Sequence, residues 1–334
     1  MNKPLISVVI LNYNGQRFLA DCLSSLKKQT YPNFEILLVD NGSTDISIKY
    51  VEENFADFVK LIKNPINYGF SKGNNIGIRA AKGKYVLTLN NDTIVDPDWI
   101  AKLVEAAENS EQIGMCASKI YLAKEPGLID SIGVNIYPDG SSKQRGFREK
   151  DQGQYDNEKE ALLPSGCAAL YRQTMLAEIG LFDEDFVAYC EDTDLGLRAR
   201  LNGWQCAFAP KAIVHHLYSA TSGQYSTMKA FHVERNHYWV AVKNFPLSAL
   251  LFVPFFLLLR YFVQALYLAK VKNKNITGSH LIWAIIRAHA SAIVQLPLML
   301  RKRSLIQKNR TVSNATFYFW LRKFGLRAED LALK

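Results

Sequence analysis

Asn90-Asn91-Asp92 closes the apolar run Tyr85-Val86-Leu87-Thr88-Leu89 with two amides and a carboxylate. The run has the length and composition of a buried parallel strand. Open α/β sheets bind ligands outside the carboxyl ends of their strands. A carboxylate at that edge can ligate a hard divalent cation, which in turn can bridge a diphosphate. The plainer alternative is a polar loop ahead of a helix that starts at Asp96-Pro97. A second acidic group, Glu191-Asp192-Thr193-Asp194, precedes Leu195, Leu197 and Leu201 and reads as the first turn of a helix. Acids in a first turn favour the helix dipole whether or not they do chemistry. Asp194 is spaced to bond Arg198, four residues on.

The elements around these residues follow from pattern. Ile6 to Leu11 is a buried strand leading into Asn12-Tyr13-Asn14-Gly15, and a helical pattern runs from Phe18 to Leu26. Glu35 to Val39 is a second strand ending at Asp40, and Val59 to Ile62 is a third. Gly69 to Gly77 opens another helix, and the fourth strand delivers Asp92. Alternating strands and helices with short links predict an α/β fold with a mostly parallel sheet and right-handed crossovers. Asp40 and Asp92 then face one crevice. Gly69, Gly73 and Gly77 are spaced by four, unlike G-x-G-x-x-G, and no Walker A run is present. That argues against a dinucleotide oxidoreductase and a P-loop NTPase.

The ordered segments SVVILNYNG, ILLVDNGSTD, NYGFSKGNNIGIRAAKGKYVLTLNND, PSGCAALYR, FDEDFVAYCEDTDLGLRARLNGW and VHHLYSAT resemble family 2 glycosyltransferases. Within them, the chain is similar to the rhamnosyltransferase-like and galactofuranosyltransferase-like branch. The likeness runs from about Ile6 to about Tyr238. It implies a GT-A fold and inverting transfer of a sugar from a UDP- or dTDP-sugar to a lipid-linked glycan or polysaccharide acceptor. It implies a Mn²⁺ or Mg²⁺ ion on Asp92 and on a late histidine, His216 before His215. Those neighbours would face opposite sides of a strand, so at most one serves. It favours Asp192 as general base, with Glu191 orienting the acceptor. The family's D-x-D form is not kept: Asn90 puts an amide where a carboxylate is usual, leaving Asp92 as the firm carboxylate of the motif.

The donor contacts expected on this frame are Asn12, Tyr13, Asp40, Asn67, Gly69, Asn75, Asn90 and Asn91. Asp40 would accept from a uracil or thymine N3–H, or else form an Asx turn. Tyr13 would stack on the base. Ser165 and Gly166 would lie near the acceptor, where glycine permits close approach. Two other readings are a nucleotidyltransferase and a membrane-bound scaffold that has lost catalysis. The first expects a glycine-rich, arginine-bearing loop where Asn12-Tyr13-Asn14-Gly15 stands. The second expects loss of the acids, yet Asp92 and Asp192 are present.

The chain has 334 residues and five cysteines without C-x-x-C, which suits a reducing compartment and five buried thiols. Its first strand begins at about residue 5, so no signal peptide is expected. The polar stretch Pro138 to Asn157 reads as a mobile loop near the acceptor side. The expected division is a catalytic domain over 1–240, with a donor half 1–110 and an acceptor half 111–240, then helices over 241–334.

The net charge of +9 is uneven: residues 247–334 carry 14 Lys and Arg against Glu329 and Asp330. These cations flank apolar stretches, Leu247 to Ala269 with Arg260 inside it, and Leu281 to Leu300. Nucleic-acid binders instead gather basic residues on a reading element, so no nucleic-acid partner is expected. Spanning a bilayer takes about 20 predominantly apolar residues. Neither stretch reaches that without a charge near its middle. Crossing would also export Lys270, Lys272 and Lys274, against the positive-inside tendency. The expectation is peripheral, monotopic attachment to the cytoplasmic face of a membrane, with the cations on anionic headgroups.

Overall fold

The computed structural model describes residues 3–217, 226–270 and 278–332. The chain packs as two units. The first comprises residues 3–134, 144–200 and 204–217, and the second the remainder. The boundary thus falls earlier than residue 240, because the helix at 227–244 packs with the C-terminal helices.

The α/β unit runs β1 (Ile6–Asn12), α1 (Gln16–Lys27), β2 (Phe34–Asp40), α2 (Ser47–Asn54), β3 (Lys60–Lys63), α3 (Gly69–Ala80), β4 (Tyr85–Asn90), β5 (Thr93–Val95) and α4 (Trp99–Glu108). It continues through β6 (Ile113–Leu122) and β7 (Ile129–Ser131); the two-stranded sheet β8 (Val134–Ile136) and β9 (Ser142–Gln144) falls mostly in the second unit, and β10 (Ala168–Arg172), α5 (Gln173–Ile179), α6 (Glu191–Leu201) and β11 (Gln205–His216) complete the first. Its main sheet has the order β3-β2-β1-β4-β10-β6-β11-β5, with β7 also on β6. β3, β2, β1 and β4 are parallel, as are β6 and β11. β10 is antiparallel to both β4 and β6.

Strands buried on both faces read as continuous apolar runs. Val8 and Ile10 of β1 pack with Leu19, Leu23 and Trp99 on one face, while Val9 packs with Ile78 and Met175 on the other. Each such side chain contributes about 1.5–3 kcal/mol on burial. The register aligns Asn12 with Asp40 and Leu11 with Asn90. Three parallel strands therefore end together, and their polar termini share one edge.

The stretch Pro138 to Asn157 is not the free loop expected from its polarity. Buried Lys119 holds it, with Nζ 2.7 Å from Asp151 Oδ2 and 2.6 Å from Asp156 Oδ1. Those carboxylates offset the cost of desolvating the lysine and tether the loop at Asp151 and Asp156. Four of the five cysteines are buried as expected, but Cys190 is only half-buried.

The second unit holds α7 (Thr227–Asn244), α8 (Leu247–Leu250), α9 (Val253–Lys270), α10 (Gly278–Val294), α11 (Leu296–Lys308), α12 (Asn314–Lys323) and α13 (Ala328–Ala332). Arg303 Nη1 donates to the carbonyls of Val242 and Phe245 at 2.7 and 2.6 Å, satisfying orphan acceptors at the α7 terminus. Arg235, Asn236, Trp239 and Phe245 are buried. Arg260 is 5% exposed and pairs with Asp139 and Glu234, while Phe255, Leu258 and Phe262 on the same helix are 61%, 68% and 62% exposed. Among the described residues no single helix is long and apolar enough to cross a membrane. His280–Val294 and Leu296–Lys308 together have the composition but bend by 58°.

Candidate active site

A short antiparallel ladder brings the acid of the first half to the histidine of the second. β5 pairs with the end of β11, with Val214 opposite Val95 and His216 opposite Thr93. The Leu217 N–H donates to the Asp92 carbonyl at 3.0 Å. As a result His216 Nε2 lies 3.4 Å from Asp92 Oδ1, both residues being buried. His215 points the other way, stacks on Tyr121 with ring centroids 5.8 Å apart, and is half-exposed beside Asp96. Alternation along a strand separates the two imidazoles. Burial opposes charge on His216, but Cys167, Asp130 and Asp92 around it outweigh that and hold its pKa well above the ordinary value.

The second centre stands at the start of α6. Asp192 Oδ2 accepts from the Gly166 N–H at 2.9 Å, and Oδ1 accepts from the Thr193 N–H at 2.7 Å. Burial raises the pKa of Asp192, and these donors temper the rise. Glu191 is buried, with Oε2 lacking a hydrogen-bond partner among the described residues. Burial and then the charge of Asp192 push its pKa up to about 8. The two neighbouring carboxyls thus titrate as a coupled pair, both raised by burial. Asp194 bonds Arg198 Nε at 2.8 Å, as its spacing predicts.

The two centres are approached by consecutive residues. The Gly166 N–H donates to Asp192, and Cys167 is among the groups that raise the pKa of His216. A Cβ on Gly166 would sit 3.3 Å from Asp192 Cβ, so glycine lets the backbone meet the acid. The antiparallel strand β10 puts these residues there: the Cys167 carbonyl accepts from Asn90 N at 2.8 Å, and the Gly166 carbonyl accepts from Thr88 Oγ1 at 3.2 Å. Ser165 Oγ accepts from Cys167 N at 3.4 Å.

The expected donor contacts divide into two sets. Tyr13 and Asn67 are exposed at the edge, and Asn90 is half-buried. Asn12, Asp40 and Asn91 instead bond one another. Asn91 Nδ2 donates to Asn12 Oδ1 at 2.8 Å, Asn12 Nδ2 donates to Asp40 Oδ1 at 3.0 Å, and Asp40 Oδ2 accepts from Ser43 N at 2.9 Å. Asp40 is fully buried, so here it builds the Asx turn rather than offering a free edge to a base. Asn75 is likewise occupied, donating to the Phe182 carbonyl at 2.8 Å and accepting from Phe182 N at 3.1 Å. Gly69 N donates to Asn67 Oδ1 at 2.8 Å, and the Gly69 carbonyl accepts from Asn41.

Sequence reading missed three contributors. A Cβ on Gly15 would lie 2.1 Å from Asn91 Nδ2 and 2.5 Å from Asn12 Oδ1, so a side chain there would displace those bonded amides. Val187, Tyr189 and Cys190 have positive φ immediately before Glu191, a costly conformation for a β-branched residue. The Val187 carbonyl accepts from the N–H groups of Phe70 and Ser71 at 2.7 and 3.1 Å, which ties this strained segment to α3. The third is Asp130, whose Oδ2 lies 2.7 Å from His216 Nδ1. The Ser219-Ala220-Thr221 part of the sequence motif lies outside the described residues.

Asp92 and His216 offer one carboxylate and one imidazole, a donor set that suits Mn²⁺ or Mg²⁺ completed by phosphate oxygens. Among the described residues no group of three or more His, Cys, Asp and Glu side chains is placed to hold a metal without such help.

The model of glycosyl transferase family 2 matches residues 7–180, just over half of the chain, and the chain belongs to that family. An uncharacterized glycosyltransferase of Haemophilus influenzae is 37% identical over 134 residues, 39% of this chain and 42% of its own. The O-antigen biosynthesis protein RfbC of Myxococcus xanthus is 29% identical over 225 residues, 64% of this chain and 17% of its own. The chain thus spans less than half the length of either relative. Among solved structures, S. aureus TarS 1–349 in complex with UDP-GlcNAc matches with a TM-score of 0.56 at 21% identity, covering 95% of this chain and 91% of that one. Mannosyltransferase PcManGT from Pyrobaculum calidifontis, in complex with GDP-Man and Mn²⁺, matches with a TM-score of 0.53 at 14% identity, covering 99% of this chain and 84% of that one. The fold is that of the GT-A glycosyltransferases.

Proposed function

We propose that this chain transfers a sugar, with inversion, from a UDP- or dTDP-sugar to a hydroxyl of a lipid-linked or cell-surface glycan. The observation that carries the reading is that two acidic centres, Asp92 with His216 and Asp192 on the Gly166 N–H, stand at the end of β4, where Asn90 N bonds the Cys167 carbonyl. Similarity to structures holding UDP-GlcNAc and GDP-Man supports a nucleotide-sugar donor. A divalent cation bound by Asp92 and His216 would neutralise the diphosphate leaving group. Asp192 removes the acceptor proton as the acceptor oxygen bonds the anomeric carbon. The bond from that carbon to the phosphate oxygen breaks, and the nucleoside diphosphate departs with the electron pair. Burial raises the pKa of Asp192, and a general base contributes about 10²–10⁴-fold. Tyr13, exposed at the edge, covers the base of the nucleotide.

The outward apolar side chains of α9 and the cations of the C-terminal region fit a monotopic seat on an anionic cytoplasmic membrane face. An acceptor carried on lipid would then be presented where the enzyme sits.

The deciding experiment measures binding of UDP, dTDP and GDP with and without Mn²⁺, followed by transfer assays. Mn²⁺-dependent binding of UDP or dTDP, abolished by Asp92→Ala, supports the reading. Asp192→Asn should keep donor binding and lose transfer by about 10²–10⁴-fold. Failure of the folded protein to bind any nucleoside diphosphate overturns it in favour of a scaffold. Preference for GDP corrects the donor.

A further inference from the structure

We infer that Asp130 is a positioning residue: it holds the His216 ring with Nε2 toward Asp92 and thereby sets the affinity of the site for a divalent cation. The inference rests on the transferase reading above. Asp130 is 3% exposed, and its Oδ2 lies 2.7 Å from His216 Nδ1. A carboxylate that accepts from Nδ1 leaves Nε2 as the ring nitrogen available to a cation, and Nε2 faces Asp92 Oδ1 at 3.4 Å. Carboxylate–histidine pairs of this kind fix the tautomer and orientation of metal-binding imidazoles.

Two features separate this contact from a chance ion pair. The first is backbone. β7 advances from Ser131 to Ile129 while β6 advances from Ile120 to Tyr121, so Asp130 is the extra residue of a β-bulge. Bulges re-aim a side chain that regular pairing would direct elsewhere. The flanking Ile129 and Ser131 are fully buried, so the re-aimed carboxylate is held from both sides. The second is satisfaction. Asp130 Oδ1 is buried with no hydrogen-bond partner among the described residues. A carboxylate kept out of water with one oxygen unmatched is a poor device for stability. Its placement is explained by what its other oxygen does to His216.

The test is Mn²⁺ affinity of the full chain in the presence of UDP, read by the loss of free Mn²⁺ signal in electron paramagnetic resonance. Asp130→Ala should weaken Mn²⁺ binding by about 10–100-fold. Asp130→Asn, which keeps the shape and an acceptor oxygen, should lose less. In a His216→Ala background, Asp130→Ala should change Mn²⁺ affinity by less than about twofold, since additivity fails for coupled neighbours. Thermal midpoints check that each variant is folded, and the isosteric Asn variant carries the test if the Ala variant is not. Unchanged affinity in a folded Asp130 variant, or an equal loss with and without His216, overturns the inference. A wild-type chain that binds neither UDP nor Mn²⁺ fails at the transferase reading itself, before any variant is compared.

Discussion

β4 buries Val86, Leu87 and Leu89 and delivers its polar residues to a sheet edge, whereas α9 buries Arg260 and turns Phe255, Leu258 and Phe262 outward. The first pattern is the ordinary response to water: apolar area leaves solvent and charges stay near it. The second is reversed. Arg260 Nε lies 2.6 Å from Asp139 Oδ2, and Nη2 lies 2.8 Å from Glu234 Oε1, inside the helical unit. Burial opposes ionisation of Glu234, but His237 and Arg260 beside it outweigh that and bring its pKa down to about 2. Tyr238 and His289 extend the polar interior through a 2.6 Å hydrogen bond. The contrast teaches that apolar content which makes a core in the α/β unit makes exposed surface in the helical one, and clustered exposed apolar side chains are a feature of interaction sites.

The largest effect that would break this contrast is on membrane association. Replacing Phe255, Leu258 and Phe262 together by Ser should lower partition onto anionic vesicles by at least about 10³-fold, at about 1.5–3 kcal/mol for each side chain. The melting temperature should barely move, because these side chains pack little within the unit. Vesicle co-sedimentation and calorimetry check both parts, and unaltered sedimentation would end the membrane reading.

The next effect is on stability. Arg260→Leu leaves Asp139 and Glu234 buried without their shared cation and should cost about 3–5 kcal/mol. Chemical denaturation followed by circular dichroism measures it. A near-neutral result would mean that the polar interior is wetter than its burial indicates.

The smallest effect sharpens the other side. Glu191 has a folded-state pKa of about 8, above the usual carboxylate range. The folded state therefore holds the proton more tightly than the unfolded chain. Stability from this group is fully present below the unfolded pKa and declines as pH rises toward 8. Glu191→Gln should flatten the melting temperature between pH 5 and 8 while leaving Asp192, the proposed base, in place. An unaltered pH profile would show that the pair shares its proton differently.

Most of the parallel half was legible because its strands are long and uniformly apolar. β1, β2 and β4 lie within a residue or two of their expected limits, and the Asp194–Arg198 bond follows from spacing alone. The late half was less legible for identifiable reasons. β5 and β7 are three residues each, too short for periodicity to register, yet one aligns Asp92 with His216 and the other supplies Asp130. Side-chain partners were harder still. Asn12, Asp40 and Asn91 have the composition of ligand-binding residues, and only their three-dimensional adjacency reveals that they bond one another. Polarity suggested freedom for the segment after Pro138 because the buried lysine that tethers it lies on β6, outside the segment.

The peptide link between Gly166 and Cys167 acts as a ruler. One residue donates to the acid proposed to take the acceptor proton, and the next is among the groups that shift the histidine proposed to face the leaving group. Consecutive Cα atoms are 3.8 Å apart. The two halves of the proposed reaction thus share a single stretch of backbone. An insertion at this one bond would move the two halves apart without altering a single side chain.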